Sequence, residues 1–386
     1  MKHLLRFKAA LVWAVILMTL VYSQPVQAAN FQEVLYSLRT VSASDAEPGQ
    51  EEDADADDPE DESLSFYQKL ACGEDVSILV IGDSIGNGAG ASCEEDRWYN
   101  KLRNFLADVY YPDDDISHVY LTNLSMGGNT SYSGYVAVMA YEDGVDYDLV
   151  IMCHGQNDAS DSFALYYEVF IRAVKTRYPD ANVISILESS QGTYTDKMYT
   201  VMDLCDHYGI QTVDTIAAFA DSGYTTEELY YDSVHPSSLG QEIYARSVLQ
   251  TIDVNVAAQT GIAVMEVPLN EEVLDYDNFS YYAAGSTAAD SSLQCARIND
   301  TSYRLTVAAE GIIGINFNYS ASAGDSMPEI YIDGVPAQTK EILAENDYTE
   351  GLVQILTDKC TVSGEIVIVF AEKEQADDFY GLSISW

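Results

Sequence analysis

Along the first two thirds of the chain, short apolar runs alternate with stretches whose apolar residues recur at helical spacing. "VSILVIGDS" (76–84) is almost continuously aliphatic and stops at a polar, glycine-rich turn. "HVYLTNLSMGGNTS" (118–131), "DYDLVIMCHGQND" (146–158), "ANVISILESS" (181–190) and "IQTVDT" (210–215) repeat that form. Between them, "RWYNKLRNFLADVY" (97–110) spaces Trp98, Leu102, Phe105, Leu106 and Val109 as one helical stripe. "SFALYYEVFIRAVKTRYP" (162–179) is a second helix stopped by Pro179, and "TVMDLCDHYG" (200–209) is a third, capped by Gly209. "SSLGQEIYARSVLQTI" (237–252) closes the series. Strands that are apolar on both faces and separated by helices predict an α/β fold: a mostly parallel sheet with helices on each side. Ligands bind beyond the carboxyl ends of such strands, and each polar motif here falls at one of those ends.

From Val256 the texture changes. "YRLTVAAEGIIGINFNYS" (303–320), "PEIYIDGVPAQ" (328–338) and "GEIVIVFAEK" (364–373) alternate or run in β-branched and aromatic residues between glycine turns. No helix of useful length is predicted there. Residues 256–386 therefore read as an antiparallel β-sandwich or jelly-roll domain, following an α/β domain over 63–255.

The amino-terminal 62 residues belong to neither unit. Lys2, Arg6 and Lys8 precede the apolar stretch 9–22, and "SQPVQAAN" (23–30) offers a cleavage site after Ala28. That layout predicts a signal peptide over 1–28, its apolar part being shorter than the ~20 residues of a membrane span. The chain is accordingly expected to be secreted, with no stable membrane insertion after cleavage and a bacterial cell surface as one destination. Residues 45–62 hold eleven acids in eighteen positions and no base, so 29–62 reads as an acidic, disordered linker. The formal charge of −44 becomes −47 once the three basic residues of the leader are gone. No basic patch offsets it, which argues against nucleic acid as a partner.

Six cysteines, at 72, 93, 153, 205, 295 and 360, permit disulfides in an exported protein. Cys72 with Cys93 and Cys295 with Cys360 are the pairings the spacing suggests, and Cys153, ending a strand, reads as a buried thiol. No spacing suggests zinc. "GNGAG" (86–90) lacks both the G-x-G-x-x-G spacing and a P-loop lysine, so no cofactor is expected.

The chemistry centres on Ser84. Gly82-Asp83-Ser84-Ile85-Gly86 fits the G-x-S-x-G nucleophile elbow and also reads as a G-D-S motif. Chain order discriminates. A trypsin-like peptidase needs a histidine before the serine, and beyond the leader none precedes Ser84. An α/β-hydrolase elbow follows several strands, whereas Ser84 ends the first. "DSVHP" (232–236) then places Asp232 and His235 three residues apart, just before the last helix.

At this point the chain resembles the SGNH hydrolases, the GDSL-type esterases and lipases, over roughly Tyr67 to Ile252. Four blocks occur in the family's order: "IGDS" with Ser84, "LSMGGNTS" with Gly128 (Gly127 being the alternative register), "HGQND" with Gly155 and Asn157, and "DSVHP" with Asp232 and His235. The resemblance implies a three-layer α/β/α, flavodoxin-like catalytic domain. It also implies a catalytic triad of Ser84 as nucleophile, His235 as base and Asp232 as its orienting acid. The oxyanion hole it implies consists of the N–H groups of Ser84 and Gly128 and the side-chain amide of Asn157. Asp83 and Asp158 read as turn-stabilising residues, and His154 as a surface or hydrogen-bonded histidine rather than a second base.

The family's substrates are diverse, and three features of this chain lean toward an acylated saccharide or cell-wall glycan. They are its predicted export, its 29 tyrosines (Tyr132, Tyr135, Tyr194, Tyr230 and Tyr231 lie near the blocks), and the appended β domain. A lipase or lysophospholipase and a non-catalytic glycan-binding surface protein are the alternatives. Glycan contact through the carboxy-terminal domain stays open.

Overall fold

The computed structural model describes residues 64–386 apart from 112–115, 189–191, 286–294, 320–325 and 343–350. The leader and acidic linker lie outside the described residues. Five parallel strands form the first sheet: β1 (Val76–Gly82), β2 (Val119–Asn123), β3 (Leu149–Cys153), β4 (Asn182–Leu187) and β5 (Gln211–Asp214). Their order is β2-β1-β3-β4-β5, with Ile78 in register with Leu121 on one side and Leu149 on the other. This is the flavodoxin-like winding the resemblance implied. It opens a crevice where the winding reverses, at the carboxyl ends of β1 and β3.

Alternation along β1 divides the core. Ile78 and Val80 join the buried cluster containing α1 (Phe66–Cys72), α2 (Trp98–Tyr110) and the closing helix, whereas Leu79 and Ile81 join the cluster on the opposite face. That second face carries α3 (Ser131–Ala140), α4 (Phe163–Arg177) and α5 (Asp196–His207). Two short helices, α6 (Thr215–Asp221) and α7 (Thr226–Leu229), lead to the closing helix α8 (Ser238–Ala258). In α2 the buried stripe is Trp98, Leu102 and Leu106, while Val109 is exposed, contrary to the spacing argument. The stripe continues instead through Tyr110, four residues after Leu106, which packs against the same core.

Helix α3 has no counterpart among the predicted helices. "SYSGYVAVMA" is apolar or small on every side, and all but Met139 are buried. A helix buried all round shows no amphipathic period. Its outer side is covered by strands of the second domain, a fact no local pattern contains.

The second domain begins with β6 (Phe279–Gly285), β7 (Cys295–Asn299), β8 (Ser302–Thr306) and β9 (Ala309–Tyr319). It continues through β10 (Glu329–Ile332), β11 (Val335–Pro336), β12 (Thr339–Ile342) and β13 (Gly351–Thr357), and ends with β14 (Cys360–Val362), β15 (Glu365–Val369) and β16 (Phe379–Ser385). They pair in the order β11-β10-β15-β8-β7-β6-β16-β9-β13-β12, with β14 on β9; every pairing is antiparallel except β6 with β7. Residues far apart in that order, such as Ile330 on β10 and Ile355 on β13, share one core with Phe317 and Ile368. The sheet therefore curls into two facing halves, as expected of a β-rich second domain.

The two domains share a tyrosine-rich junction. Tyr132, Tyr135, Tyr166 and Tyr276 pack edge-to-face or tilted, at centroid distances of 5.2–6.2 Å. The Tyr135 hydroxyl lies 3.1 Å from the Tyr276 carbonyl and 2.9 Å from Ser385 Oγ. Arg172 forks onto Asp277 at 2.8–3.1 Å, and Glu168 accepts from the N–H groups of Leu269 and Asn270. Tyr132 and Tyr135 are thus fully buried and cannot meet a sugar ring, which removes them from the substrate-facing set. Tyr135→Phe leaves the Tyr276 carbonyl without this donor, so it is expected to destabilise the protein by about 1–2 kcal/mol. Denaturant unfolding measures this, and turnover should be unaffected.

All six cysteines are free thiols. Cys153 is buried as expected, but the suggested pairings fail for geometric reasons. Cys72 and Cys93 bracket β1 and so lie at opposite ends of a strand roughly 20 Å long. Cys295 is buried on β7, and Cys360 is on β14, which pairs with β9, four steps away in the strand order.

Candidate active site

The turn that carries Ser84 starts where β1 runs out. The Asp83 N–H donates to the Cys153 carbonyl at 3.1 Å, extending the pairing with β3 by one residue. The chain then doubles back so closely that a Cβ on Gly82 would lie 2.9 Å from Gly86 Cα and 2.6 Å from the Cys153 carbonyl. Both ends of this G-x-x-x-G must therefore be bare. Asp83 Oδ1 accepts from the Ile85 N–H (2.8 Å), the Ala89 N–H donates to the Ser84 carbonyl (2.9 Å), and Trp98 Nε1 donates to the Ile85 carbonyl (3.0 Å). Ser84 is held in this turn with a small opening to solvent.

A histidine reaches this turn from the other end of the domain. His235 Nε2 lies 2.9 Å from Ser84 Oγ, and its Nδ1 lies 2.8 Å from Asp232 Oδ2. The other Asp232 oxygen, Oδ1, accepts the N–H groups of Val234 and His235, both at 2.8 Å. One side chain thus shapes the loop and orients the imidazole. Burial works to raise the Asp232 pKa, but the imidazole and the two N–H donors outweigh it and hold the carboxyl below its usual range. Ser237 caps α8 immediately afterwards. Gln241, in the first turns of that helix, is fully buried; it donates to the Ala89 carbonyl at 2.9 Å and accepts from the Trp98 N–H at 3.0 Å. It fastens the histidine-bearing end of α8 to the Ser84 turn. Only its place one turn into the closing helix hinted at it in the sequence.

The loop after β2 lies against the same turn. Asn123 donates to the Gly86 carbonyl at 3.1 Å and accepts from the Ser125 N–H at 2.8 Å. Gly128 has φ +79°, a left-handed conformation that suits glycine, whereas Gly127 does not. Among the described residues the N–H groups of Ser84 and Gly128 have no protein acceptor. The Asn157 amide is differently placed. Nδ2 donates to Asp83 Oδ2 at 3.2 Å and to the Asn129 carbonyl at 3.0 Å, so both of its protons already have acceptors. An oxyanion would draw one of them by sharing, the longer contact to Asp83 being the weaker competitor.

Behind these groups lie three buried acids. Asp158 accepts from the Ser131 N–H at 2.8 Å, tying the third block to the start of α3; burial raises its pKa to about 6. Burial likewise raises Asp83 and Glu188. His154 differs from its expected role, being neither at the surface nor hydrogen-bonded among the described residues. It is fully buried edge-on to Phe170, with ring centroids 5.0 Å apart, and burial lowers its pKa to about 3. It is a neutral ring packed beneath α3.

A Ser–His–Asp hydrogen-bonded series at the switch point of a 2-1-3-4-5 sheet is the arrangement of a serine hydrolase domain. Residues 80–243 match the GDSL-like Lipase/Acylhydrolase family, so the chain carries an SGNH-type acylhydrolase domain and is a carboxylic ester hydrolase. No curated protein matches the chain. Among solved structures, a two-domain esterase active on acetylated mannans has a similar fold. The two are 20% identical, the match covers 82% of this chain and 93% of that one, and the TM-score is 0.61. Its crystal form with mannopentaose gives 0.60. An acetylxylan esterase from Geobacillus stearothermophilus aligns over 47% of this chain and 95% of its own, with 22% identity and a TM-score of 0.39.

Proposed function

We propose that this protein is an exported serine esterase that removes acetyl groups from an acylated saccharide. The observation that carries the reading is the continuous relay from Asp232 through His235 to Ser84, with contacts of 2.8 and 2.9 Å. Ser84 Oγ attacks the acyl carbonyl as His235 Nε2 takes its proton. The N–H groups of Ser84 and Gly128, with the Asn157 amide, receive the oxyanion. Collapse expels the sugar alkoxide, which takes the proton back from His235, and water repeats the sequence on the acyl-serine. Substrate choice is supported by a solved fold similar over both domains, that of an esterase active on acetylated mannans. Exposed aromatic faces support it further: Tyr231, next to Asp232, is 73% exposed, and Tyr194 stacks on Tyr199 at 5.9 Å. Export is supported by the leader-like segment 1–28.

A chain-length series tests the proposal. The purified protein is expected to hydrolyse p-nitrophenyl acetate and acetylated manno- or xylo-oligosaccharides, with kcat/KM falling as the acyl chain lengthens. Preference for octanoate or longer would assign it to lipid substrates. A folded protein inert toward every ester would leave the relay without a reaction.

A further inference from the structure

The relay leaves unused a pair of acids directly behind it. Asp83, adjacent to Ser84, and Glu188, the residue following β4, are both buried, and their carboxyls lie within hydrogen-bonding reach of one another. Such a contact needs a proton on one of the two, because an ionised carboxylate only accepts. The other oxygens are committed to the catalytic loops. Asp83 receives the Ile85 N–H at 2.8 Å and Asn157 Nδ2 at 3.2 Å. Glu188 Oε2 receives the Gln156 N–H at 2.7 Å, and its Oε1 lies 3.6 Å from Cys153 Sγ. Asp83 thus receives two N–H donors, whereas Glu188 receives one N–H and a weak thiol donor, which places the shared proton on Glu188.

We propose that Glu188 is a positioning residue for the ester hydrolysis: as a neutral acid it donates to the Asp83 carboxylate and holds it between the Ser84 turn and the Asn157 amide. The inference rests on the esterase reading of Ser84 and Asn157. The groups facing the pair keep it singly charged. Asp158 adds like charge from the loop after β3, and the Cys153 thiol and the Tyr167 hydroxyl of α4 lie alongside. On α5, Lys197 donates to the backbone carbonyls of Gln156 and Asp158. Burial raises both carboxyls of the pair, Glu188 well above its usual range. The sign follows. With one proton the pair is bonded and Asn157 is held. As pH rises through the folded-state value the proton leaves, two anions repel in a dry site, and turnover falls on the alkaline side. The stability contributed by this raised pKa is present in acid and lost over the same rise.

The test is the kcat–pH profile of the full chain on phenyl acetate, followed by titration of released acetate. Wild type is expected to show an alkaline decline. Glu188→Gln, whose amide donates to Asp83 and accepts from Gln156 without ionising, should keep most of the neutral-pH kcat and lose the decline. Glu188→Ala should lower kcat by about tenfold or more with KM nearly unchanged. A Gln variant that retains the wild-type decline, a wild type with none, or a folded Ala variant with unchanged kcat would each overturn the proposal. If the Ala variant does not fold, the Gln profile decides alone. A wild type inert on phenyl acetate and on acetylated oligosaccharides overturns the esterase reading and Glu188's role with it, whereas an active wild type with an unaffected Gln profile removes only the latter.

Discussion

Exchanging Ser84 for alanine is expected to lower kcat on acetyl esters by roughly 10⁴-fold or more. Without the hydroxyl, His235 has only water to activate, and no acyl-enzyme forms. What remains is whatever the backbone donors give to direct attack by water. The substitution should leave the fold intact, because among the described residues the Ser84 side chain is bonded only to His235 and the imidazole stays anchored by Asp232 at 2.8 Å. Thermal unfolding is therefore expected to change little, within about 0.5 kcal/mol. Steady-state kinetics on phenyl acetate and a melting curve on one preparation check both halves. Turnover within a factor of about ten of wild type would exclude Ser84 as the nucleophile.

The second large effect is at Asn157. Asn157→Ala is expected to reduce kcat by about 10²- to 10³-fold with KM nearly constant, because the lost donor acts on charge that exists only in the transition state. Here, unlike Ser84, stability should also fall. The Asn157 amide bridges Asp83 and the Asn129 carbonyl at 3.2 and 3.0 Å, so its removal leaves buried acceptors unpaired at a cost of about 1–3 kcal/mol. Asn157→Asp should be worse still, placing another carboxyl beside Asp83 and Asp158. A folded Asn157→Ala variant with unchanged kcat would show that the amide serves the loops alone.

Much of the catalytic domain was legible because its physics is local. Strands buried on both faces must be apolar throughout, so β1, β3 and β4 stand out against polar turns. The chemistry demands particular residue types at their ends, so the sequence singles out Ser84, Asn157, Asp232 and His235, and the structure brings Ser84, His235 and Asp232 into one hydrogen-bonded series. What escaped depended on partners remote in the chain. Helix α3 lacks an amphipathic period because the second domain covers the face that would otherwise be wet. Tyr132 and Tyr135 looked like substrate contacts for the same reason. The pairing of Cys72 with Cys93 rested on their bracketing one segment, but that segment is an extended strand that holds them apart. Glu188 carried no signal: one acid after an apolar run does not stand out in a chain with 62 of them. Its meaning comes from Asp83, more than a hundred positions earlier.

The central claim is that Ser84 is activated by His235 for attack on an acyl carbonyl. Treating the folded protein with a fluorophosphonate probe and mapping the adduct by peptide mass spectrometry tests it most directly. A single adduct on Ser84 is predicted, lost in Ser84→Ala and strongly slowed in His235→Ala. An adduct on another residue, or equal labelling of Ser84 with and without His235, would contradict it.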